Sequence, residues 1–443
     1  MLPRREILRL AIPASLAIAS EPILSLADTA MIGRLGVEPL AARAIASSLI
    51  GGILWVFAFL IFGTTTLVGY HHGANEPEAC GETYLHALIF AGAGGITVSL
   101  LSIYLAPQLY RWMGAEGNVI AEGTAYFRLR IAGTPFTLIF YATVGFLRGI
   151  QNTRTPMFIA FAVNGINLIL DYALIYGKLG FPALGLRGAA LAALASQAIG
   201  GGICLGLLFF SSYASRYSLT RWSFEPRRFL PITRIGRDIA IRTGALRFAL
   251  VFATATVARM GTSALSVHEI AIQLWLLCSD TIDGLAVAGQ ALVAKYLGAN
   301  RAGQAYKMGK LLVLYGCAAG LLFTAGYLGT QRRLITVFTR SPDVILVLSG
   351  GIFFLLALAQ PLNGIVFVLD GFLIGAHDTR FLMWAMLAGA LGIFIPMAWI
   401  SLHWELGLIG VWAGFTVFMG WRLLTNLYRF LSRRWVKAFP RRS

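Results

Sequence analysis

The stretch LIFGTTTLVGYHHGAN at residues 60–75 has a counterpart 225 residues later, LAVAGQALVAKYLGAN at residues 285–300. Both contain Leu-Val and, at the same distance beyond it, Gly-Ala-Asn. Followed backwards in this register without a gap, the two segments share 14 identical residues over the 48 positions from 28 to 75. Self-similarity at a fixed offset predicts that the chain consists of two homologous halves.

Each half is rich in apolar stretches long enough to cross a membrane. Of the 443 residues, 58% are hydrophobic and only 12% are charged, whereas an ordinary globular domain carries about 25% charged residues. A transmembrane helix needs about 20 mostly apolar residues, and this length identifies twelve spans. The predicted spans are residues 10–33, 44–70, 84–107, 125–146, 156–176, 187–211, 241–260, 268–294, 309–329, 350–374, 381–400 and 407–431.

Six spans per half determine how the halves are related. An even number of spans returns each half to the side of the membrane where it began, so both halves have the same orientation. Such parallel repeats favour alternating access to a central cleft. The sequence therefore predicts an all-α membrane protein with twelve transmembrane helices in two six-helix lobes, related by a pseudo-two-fold axis along the membrane normal.

Positive charges fall mainly on one side of this topology. Loops and termini on one side hold 25 Lys and Arg residues, and those on the other side hold 11. The richer side is cytoplasmic by the positive-inside rule, which places both termini in the cytoplasm of a bacterial-type inner (plasma) membrane. Topology and attraction to anionic lipid account for the net charge of +17. We therefore expect the lipid bilayer, and no nucleic acid, as a partner.

The longest hydrophilic stretch, residues 211–238, divides the chain near its middle. We predict an N-terminal six-helix lobe at 1–211, a basic cytoplasmic linker at 212–240, a C-terminal six-helix lobe at 241–432 and a basic cytoplasmic tail at 433–443.

The sequence lacks the motifs that mark an enzyme. It contains no GxSxG, HExxH or phosphate-binding loop motif and no soluble segment long enough to hydrolyse nucleotide. The four cysteines lie outside the paired spacings of zinc sites. We expect a monomeric transporter that has no catalytic residues, no organic cofactor and no metal site apart from a coupling ion.

Two carboxylates inside the N-terminal spans have no acidic counterpart in the second half. Asp28 faces Ala253 in the repeat register, and Asp171 falls opposite the apolar residues 393–397. A carboxylate inside a span is costly unless it is paired, hydrated or neutral, and its default interpretation is functional. Because residues kept in both halves are expected to serve packing, these two acids indicate the transport site.

The fifth span extends this site into a polar stripe. Asn164, Asn167 and Asp171 are spaced at i, i+3 and i+7, which places them on one helix face. Acids in a hydrated cleft can exchange protons near neutral pH. With amide oxygens they can also bind a hard cation such as sodium, for which Asp28, Asp171 and Asn167 are the candidate ligands. A buried contact that only locks the lobe together is the structural alternative.

The first span carries further candidates. Pro13 and Pro22 remove helix hydrogen bonds and allow a bend. A movable first helix bearing Asp28 is one hypothesis, and a static kink is the other. Glu21 lies seven residues before Asp28 and therefore on the same helix face. Glu21 could line the cleft, or it could contact a neighbouring arginine or water.

The C-terminal half has polar residues of its own inside its spans. They are Gln273, Asp280 and Asp283 in the eighth span and Asn363 and Asp370 in the tenth. They could line the same cleft and attract a cationic substrate through charge and aromatic contact. Structural pairing with arginines such as Arg242 or Arg247 is the alternative.

The order and spacing of these residues resemble a known family. The matching elements are Pro13, Asp28-Thr29-Ala30-Met31-Ile32-Gly33 with Leu35-Gly36 and Leu40-Ala41-Ala42, Leu147-Arg148-Gly149 with Thr153-Arg154, and Gly289-Gln290 with Leu292-Val293 and Gly298-Ala299. Over nearly its whole length the sequence resembles the multidrug and toxic compound extrusion (MATE) transporters. Further elements are similar to the DinF-like branch, namely Arg237-Asp238-Ile239, Ile282-Asp283-Gly284 and Leu369-Asp370-Gly371.

This resemblance implies an antiporter that exports organic cations or amphipathic drugs and toxic compounds, driven by inward movement of H⁺ or Na⁺. It implies that the first-helix acid, here Asp28, and the fifth-helix acid, here Asp171 with Asn167, form the coupling site. It also implies that the first helix bends near Pro13.

The sequence departs from one branch of the family, and two other functions are alternatives to drug export. The NorM-like branch carries an acid in the seventh span, where this chain has Arg242 and Arg247, so a coupling site of that kind is not expected here. A lipid or lipid-linked saccharide flippase of the same superfamily would more often add spans and place basic residues in the cleft. A membrane-embedded enzyme would need paired histidine or carboxylate motifs at a membrane face, and these are missing.

Overall fold

The computed structural model describes residues 3–220, 229–338, 345 and 348–438, and in these ranges the chain is helical without β-strands. Part of the predicted linker, 221–228, and the end of the predicted tail, 439–443, lie outside the described residues.

The helices before residue 221 contain the N-terminal candidate residues. They are α1 (Pro3–Gly33), α2 (Val37–Val56), α3 (Phe59–Gly73), α4 (Pro77–Trp112), α5 (Asn118–Ile131), α6 (Thr134–Gly149), α7 (Arg154–Tyr176), α8 (Gly185–Phe209) and the short α9 (Ser212–Arg216).

The helices after residue 228 begin inside the segment predicted as linker. They are α10 (Phe229–Ala258), α11 (Thr262–Gly298), α12 (Ala302–Phe338), α13 (Phe353–Leu358), α14 (Gln360–Gly375), α15 (Thr379–Gly389), α16 (Ile395–His403) and α17 (Gly407–Leu431). π-Helical turns at Leu348–Ile352 and Ala390–Phe394 precede α13 and α16, and a 3₁₀ helix at Arg434–Lys437 follows α17.

The apolar helices account for the twelve predicted spans. Within the described ranges, ten helical segments are long and apolar enough to cross a membrane. The consecutive helices α5 and α6, bent by 40°, form an eleventh. The shorter apolar helix α14 lies where the tenth span, residues 350–374, is predicted. The predicted all-α fold with twelve membrane-crossing segments is thus confirmed.

The fourth predicted span, residues 125–146, is broken between α5 and α6. Pro135 lies at the start of α6 and has no N–H, so the helical hydrogen-bond ladder is interrupted there. At the break, Gly133 packs against the side chain of Gln197. The bend follows from the missing donor at Pro135.

The chain forms two compact units whose boundary falls inside α1. Residues Leu16–Gly236 form the N-terminal unit, and Met1–Ser15 join Arg237–Ser443 in the C-terminal unit. Within the C-terminal unit, Tyr296 donates a hydrogen bond to the Glu6 carboxylate over 2.8 Å, and Ser15 donates one to the Thr281 carbonyl over 3.1 Å. The first helix is thus shared between the units.

A core of small and aromatic side chains supports the N-terminal unit close to Asp28. Ile32, one turn beyond Asp28, is buried with Ala42 and Ala46 of α2 and with Tyr110 of α4. The Tyr110 hydroxyl donates to the Ala42 carbonyl over 2.8 Å. Since buried polar groups need partners, this bond fixes α4 against α2 beside the candidate site.

Candidate functional site

The two acids singled out in the N-terminal half meet in the structure. Asp28 on α1 and Asp171 on α7 lie close enough to interact electrostatically. The Asp28 side chain is 13% exposed, and Asp171 is 2% exposed. Asn167 lies one helical turn before Asp171 and is also buried. The polar stripe predicted on the fifth span therefore directs its acid to the first helix.

Several polar atoms of this cluster have no partner in the described structure. The Oδ1 atom of Asp28, the Oδ2 atom of Asp171 and the Nδ2 atom of Asn167 are buried without a hydrogen bond. Buried polar groups are normally satisfied, and exceptions call for an explanation such as a bound ion or a catalytic role. Oxygen atoms of Asp28 and Asp171 are therefore available to bind a proton or a cation.

Two arginines that the sequence analysis did not select complete the cluster. Arg43 on α2 places its Nη2 atom 3.8 Å from the Oδ2 atom of Asp28 and donates a hydrogen bond to the Ser25 carbonyl over 3.1 Å. Arg130 on α5 interacts electrostatically with both Asp28 and Asp171 and hydrogen-bonds Tyr126. The site thus combines two carboxylates with two guanidinium groups.

Further contacts hold α1 along α7. Asn164 donates a hydrogen bond to the Ser20 hydroxyl over 3.0 Å, and Tyr176 donates one to the Met31 carbonyl over 2.9 Å. The acid pair lies between these two contacts in sequence on both helices. Through this bond to Ser20, Asn164 belongs to the α1–α7 contact.

The ligand set for a cation in this cluster is small. The described residues contain no group of three or more His, Cys, Asp or Glu side chains that could hold a metal ion. Two carboxylates and the Asn167 amide oxygen are the available ligands, and hard cations such as sodium need oxygen ligands. The same acid pair can also take up and release a proton.

The C-terminal acid Asp370 has a different environment. Its Oδ2 atom accepts hydrogen bonds from Arg242 of α10 and Arg422 of α17, and its Oδ1 atom accepts one from Asn426 over 2.8 Å. Arg422 is itself buried and lies 5.7 Å from the ring centroid of Phe367. Both oxygens of Asp370 are therefore used, which is the structural pairing stated above as the alternative.

The other C-terminal candidates have different partners. Asp283 interacts with Arg422 and so joins the Asp370 cluster, whereas Asp280 interacts electrostatically with Arg247. Asn363 donates a hydrogen bond to Gln360 over 3.2 Å, whereas Gln273 is exposed.

Among the N-terminal candidates, Glu21 is exposed and interacts electrostatically with Tyr141 of α6. Pro13 and Pro22 both lie inside α1. The division between the two units falls between Ser15 and Leu16, two residues beyond Pro13.

The repeat shows what replaces the acid cluster in the other half. Ala253 and His268 occupy the positions of Asp28 and Arg43 at the offset of 225. They line a cavity of about 10 Å³ together with Trp275, Trp412 and other apolar residues. His268 contacts Thr254 over 3.3 Å. The basic position on the second helix is thus kept, but the acids are absent and aromatic rings take their place.

Arg43 and Arg130 could have been found from two sequence signals. Each arginine lies within or beside a predicted span, where a charge is unusual. Arg43 also faces another basic residue, His268, in the repeat register. Their contact with the acids was not predictable, because it depends on how four separate helices pack.

The sequence profile of the family described as MatE matches residues 13–173 and 245–400. Protein DETOXIFICATION 44, chloroplastic, of Arabidopsis thaliana is 30% identical over 443 residues, which cover 97% of this chain and 82% of the relative. The probable multidrug resistance protein NorM of Thermotoga maritima is 27% identical, with 98% and 93% covered. The DNA damage-inducible protein F of Escherichia coli is 26% identical, with 96% and 91% covered.

Solved structures share the fold. A MATE protein crystallised in a bent conformation superposes with a TM-score of 0.88 at 23% identity, covering 98% of this chain and 96% of that one. A MATE protein in a straight conformation gives a TM-score of 0.87 at 23% identity with the same coverage.

Proposed function

Because the chain belongs to the MatE family, which confirms the family expected from its motifs, we propose that it is a secondary active antiporter. In this proposal it exports cationic or amphipathic drugs and toxic compounds, and inward movement of H⁺ or Na⁺ drives export through alternating access. The chain is a multi-pass membrane transporter of the MATE multidrug efflux family and not an enzyme. The proposal concerns its substrates, its coupling ion and its mechanism.

The observation that carries the proposal is the contact between Asp28 and Asp171. With both acids ionised, two carboxylates balance the two guanidinium groups of Arg43 and Arg130. A proton taken up by the pair removes one negative charge from a buried site, where uncompensated charge is costly. The protonated and deprotonated forms therefore favour different arrangements of the helices that supply these groups, as coupling requires.

The first helix is the element best placed to respond. It supplies Asp28, it contains Pro13 and Pro22, and the boundary between the two units lies within it. Proline removes a helix hydrogen bond and permits a bend. Arg43 binds the Ser25 carbonyl and lies near Asp28, so a change in the charge of Asp28 alters a contact to the helix backbone. We infer that protonation of the acid pair is coupled to bending of helix 1.

The charge balance favours drug export over lipid-linked saccharide transport. A site for pyrophosphate needs positive charge that is free for the ligand. In the cluster at Asp28 and Asp171, two acids match the two arginines. In the C-terminal unit, Arg242 and Arg422 share Asp370, and Arg422 also interacts with Asp283. The residues of the substrate cleft remain a proposal, with the exposed Glu21 and Gln273 as the first to test.

Location and assembly complete the proposal. The distribution of Lys and Arg supports a bacterial-type inner membrane protein with both termini in the cytoplasm. We infer that a monomer is the transporting unit, because each unit contains its own packed core and the acid cluster lies entirely within one of them.

The deciding experiment measures gradient-driven uptake of a fluorescent organic cation such as ethidium into proteoliposomes. The wild type is compared with Asp28→Asn and Asp171→Asn, each with an imposed proton or sodium gradient. We expect both variants to fall to the uptake rate of liposomes without a gradient, because neither can exchange the coupling ion. Asp378→Asn is the matched control, since Asp378 is an acid paired with Arg429 outside this cluster. Full gradient-driven uptake in both test variants would refute coupling through this pair.

A further inference from the structure

A basic surface lies at the end of the C-terminal unit where α17 ends. Five exposed side chains form it, namely Lys307, Lys310, Arg433, Arg434 and Lys437. Neither α12 nor the segment from 407 to 438 contains an aspartate or glutamate. The positive charges of this surface therefore have no acidic neighbours on the elements that carry them.

The backbone beneath this surface is held in place by an aromatic anchor. Arg433 adopts a left-handed conformation with a φ angle of 54° and turns the chain after α17. Trp435 is fully buried, and its indole N–H donates to the Phe430 carbonyl over 3.0 Å. Its ring packs edge-on against Phe372 with centroids 4.8 Å apart. The buried Trp435 thus fixes the turn that carries the cations after α17.

A second aromatic ring orients cations from two different elements. The guanidinium of Arg433 lies 4.2 Å from the ring centroid of Tyr306, and the ammonium of Lys310 lies 4.9 Å from it. The Tyr306 ring in turn stacks on Phe430 at 5.0 Å. Cation–π contacts of this kind are favourable and limit the positions of long side chains. α12 and the tail therefore present their charges as one pre-organised group.

An apolar strip leads directly to this group. Leu424, Tyr428 and Leu431 are exposed at i, i+4 and i+7, on one face of the membrane-crossing helix α17. The guanidinium of Arg434 lies 6.0 Å from the Tyr428 ring. A surface that is apolar along a span and cationic at its end matches one class of molecule, in which acyl chains are joined to a negatively charged headgroup.

We propose that the basic surface binds the phosphate of an anionic phospholipid, with the acyl chains along the strip of Leu424, Tyr428 and Leu431. The headgroup lies among Lys310, Arg433 and Arg434, where charge-assisted hydrogen bonds to phosphate oxygens are available. A free phosphate ion would use the same cations but would gain nothing from the apolar strip. This inference does not depend on the proposed transport mechanism.

The test is a lipid titration of the purified full-length protein, followed by native mass spectrometry with phosphatidylglycerol and, separately, phosphatidylcholine. The variant Arg433→Gln/Arg434→Gln removes two cations from the surface. The matched control, Arg332→Gln/Arg333→Gln, removes two adjacent exposed arginines from the other end of α12. We expect the tightest phosphatidylglycerol affinity to fall by about fivefold for each cation removed from the surface and to be unchanged in the control.

Two further arms make the result decisive. Lys437→Gln changes an exposed cation without touching the Tyr306 stack, and we expect it to weaken phosphatidylglycerol binding while leaving the melting temperature unchanged. Inorganic phosphate, added at the concentration of the lipid headgroups, is expected to leave the bound lipid in place. Equal behaviour of the two double variants, equal affinity for the two lipids, or displacement by inorganic phosphate would each overturn the proposal.

Discussion

Asp171 in the N-terminal unit and Asp370 in the C-terminal unit are both buried acids inside membrane-crossing helices, but their partners differ. Asp370 accepts hydrogen bonds from two arginines and an asparagine. Asp171 shares its site with another acid, and one of its oxygens has no hydrogen-bond partner. A carboxylate with all its oxygens bonded stabilises helix packing, whereas one with an open oxygen can still gain or lose a proton.

The two units show the same contrast through the repeat. His268 repeats the basic position of Arg43, and Thr254 repeats Thr29. The threonines bond the carbonyl four residues earlier in both halves, at Ser25 and at Leu250. This packing contact is therefore common to both halves, whereas Asp28 has no acidic counterpart and faces Ala253.

The largest expected difference in stability is between Asp370→Asn and Asp171→Asn. Removing the charge of Asp370 leaves Arg242 and Arg422 without their shared counter-ion in a buried site, and breaking such a pair costs about 3–5 kcal/mol. For Asp171→Asn we expect less than about 1 kcal/mol, because this acid is incompletely paired. The melting temperature of each purified variant, measured in one detergent, tests the comparison. If Asp171→Asn lowers the melting temperature more than Asp370→Asn does, the assignment of the structural role to Asp370 is wrong.

A double-mutant cycle on Asp370 and Arg422 gives the next largest effect. Since the two side chains are bonded directly, their removal should not be additive, and we expect a coupling energy of about 1–3 kcal/mol. The cycle combines Asp370→Asn and Arg422→Gln and compares unfolding free energies. If the losses in unfolding free energy of the two single variants add up to that of the double variant, Arg422 does not contribute to the pairing of Asp370.

Arg43→Gln tests the electrostatics of the N-terminal cluster. Asp28 interacts with three charged groups of the described structure, those of Asp171, Arg130 and Arg43. Loss of the Arg43 cation makes uptake of a proton at the acid pair easier, so the pH of half-maximal transport should rise by about one unit. The measurement is proton-driven ethidium uptake as a function of pH.

His268→Gln is the matched control for Arg43→Gln, since it changes the basic residue of the other half, where Ala253 stands in place of the acid. Its pH profile should coincide with that of the wild type. An equal displacement of both profiles would mean that the change reflects general packing and not the charge beside Asp28.

Among the paired acids of the C-terminal unit, Asp378→Asn should lower stability less than Asp370→Asn. Asp378 accepts hydrogen bonds from Arg429 over 2.5 and 3.1 Å, but the Arg429 side chain is 21% exposed. Water can solvate the released arginine, so we expect a loss of only about 1–2 kcal/mol and no change in gradient-driven transport. A melting temperature as low as that of Asp370→Asn would show that burial of the partners does not control the cost.

Much of the fold was readable from the sequence because it depends on local properties. The length of an apolar run decides whether a segment spans the membrane, and the offset of 225 reveals the repeat without any coordinates. The interruption between α5 and α6 was not predicted as a break, although Gly133 and Pro135 mark its position. Hydropathy reports the apolar length of a segment and does not register a missing hydrogen-bond donor within it.

The acids and the arginines of the candidate site show the same division between what the sequence determines and what the tertiary structure decides. The sequence alone identified Asp28 and Asp171, since a charge inside an apolar run is conspicuous and the repeat shows that neither has an acidic counterpart. Only the tertiary structure decided that these two acids touch, that Arg43 and Arg130 join them, and that Asp370 is bonded to Arg242 and Arg422. The physical reason is that burial cost is a property of one residue in its span, whereas the identity of its partner depends on the packing of helices far apart in the chain.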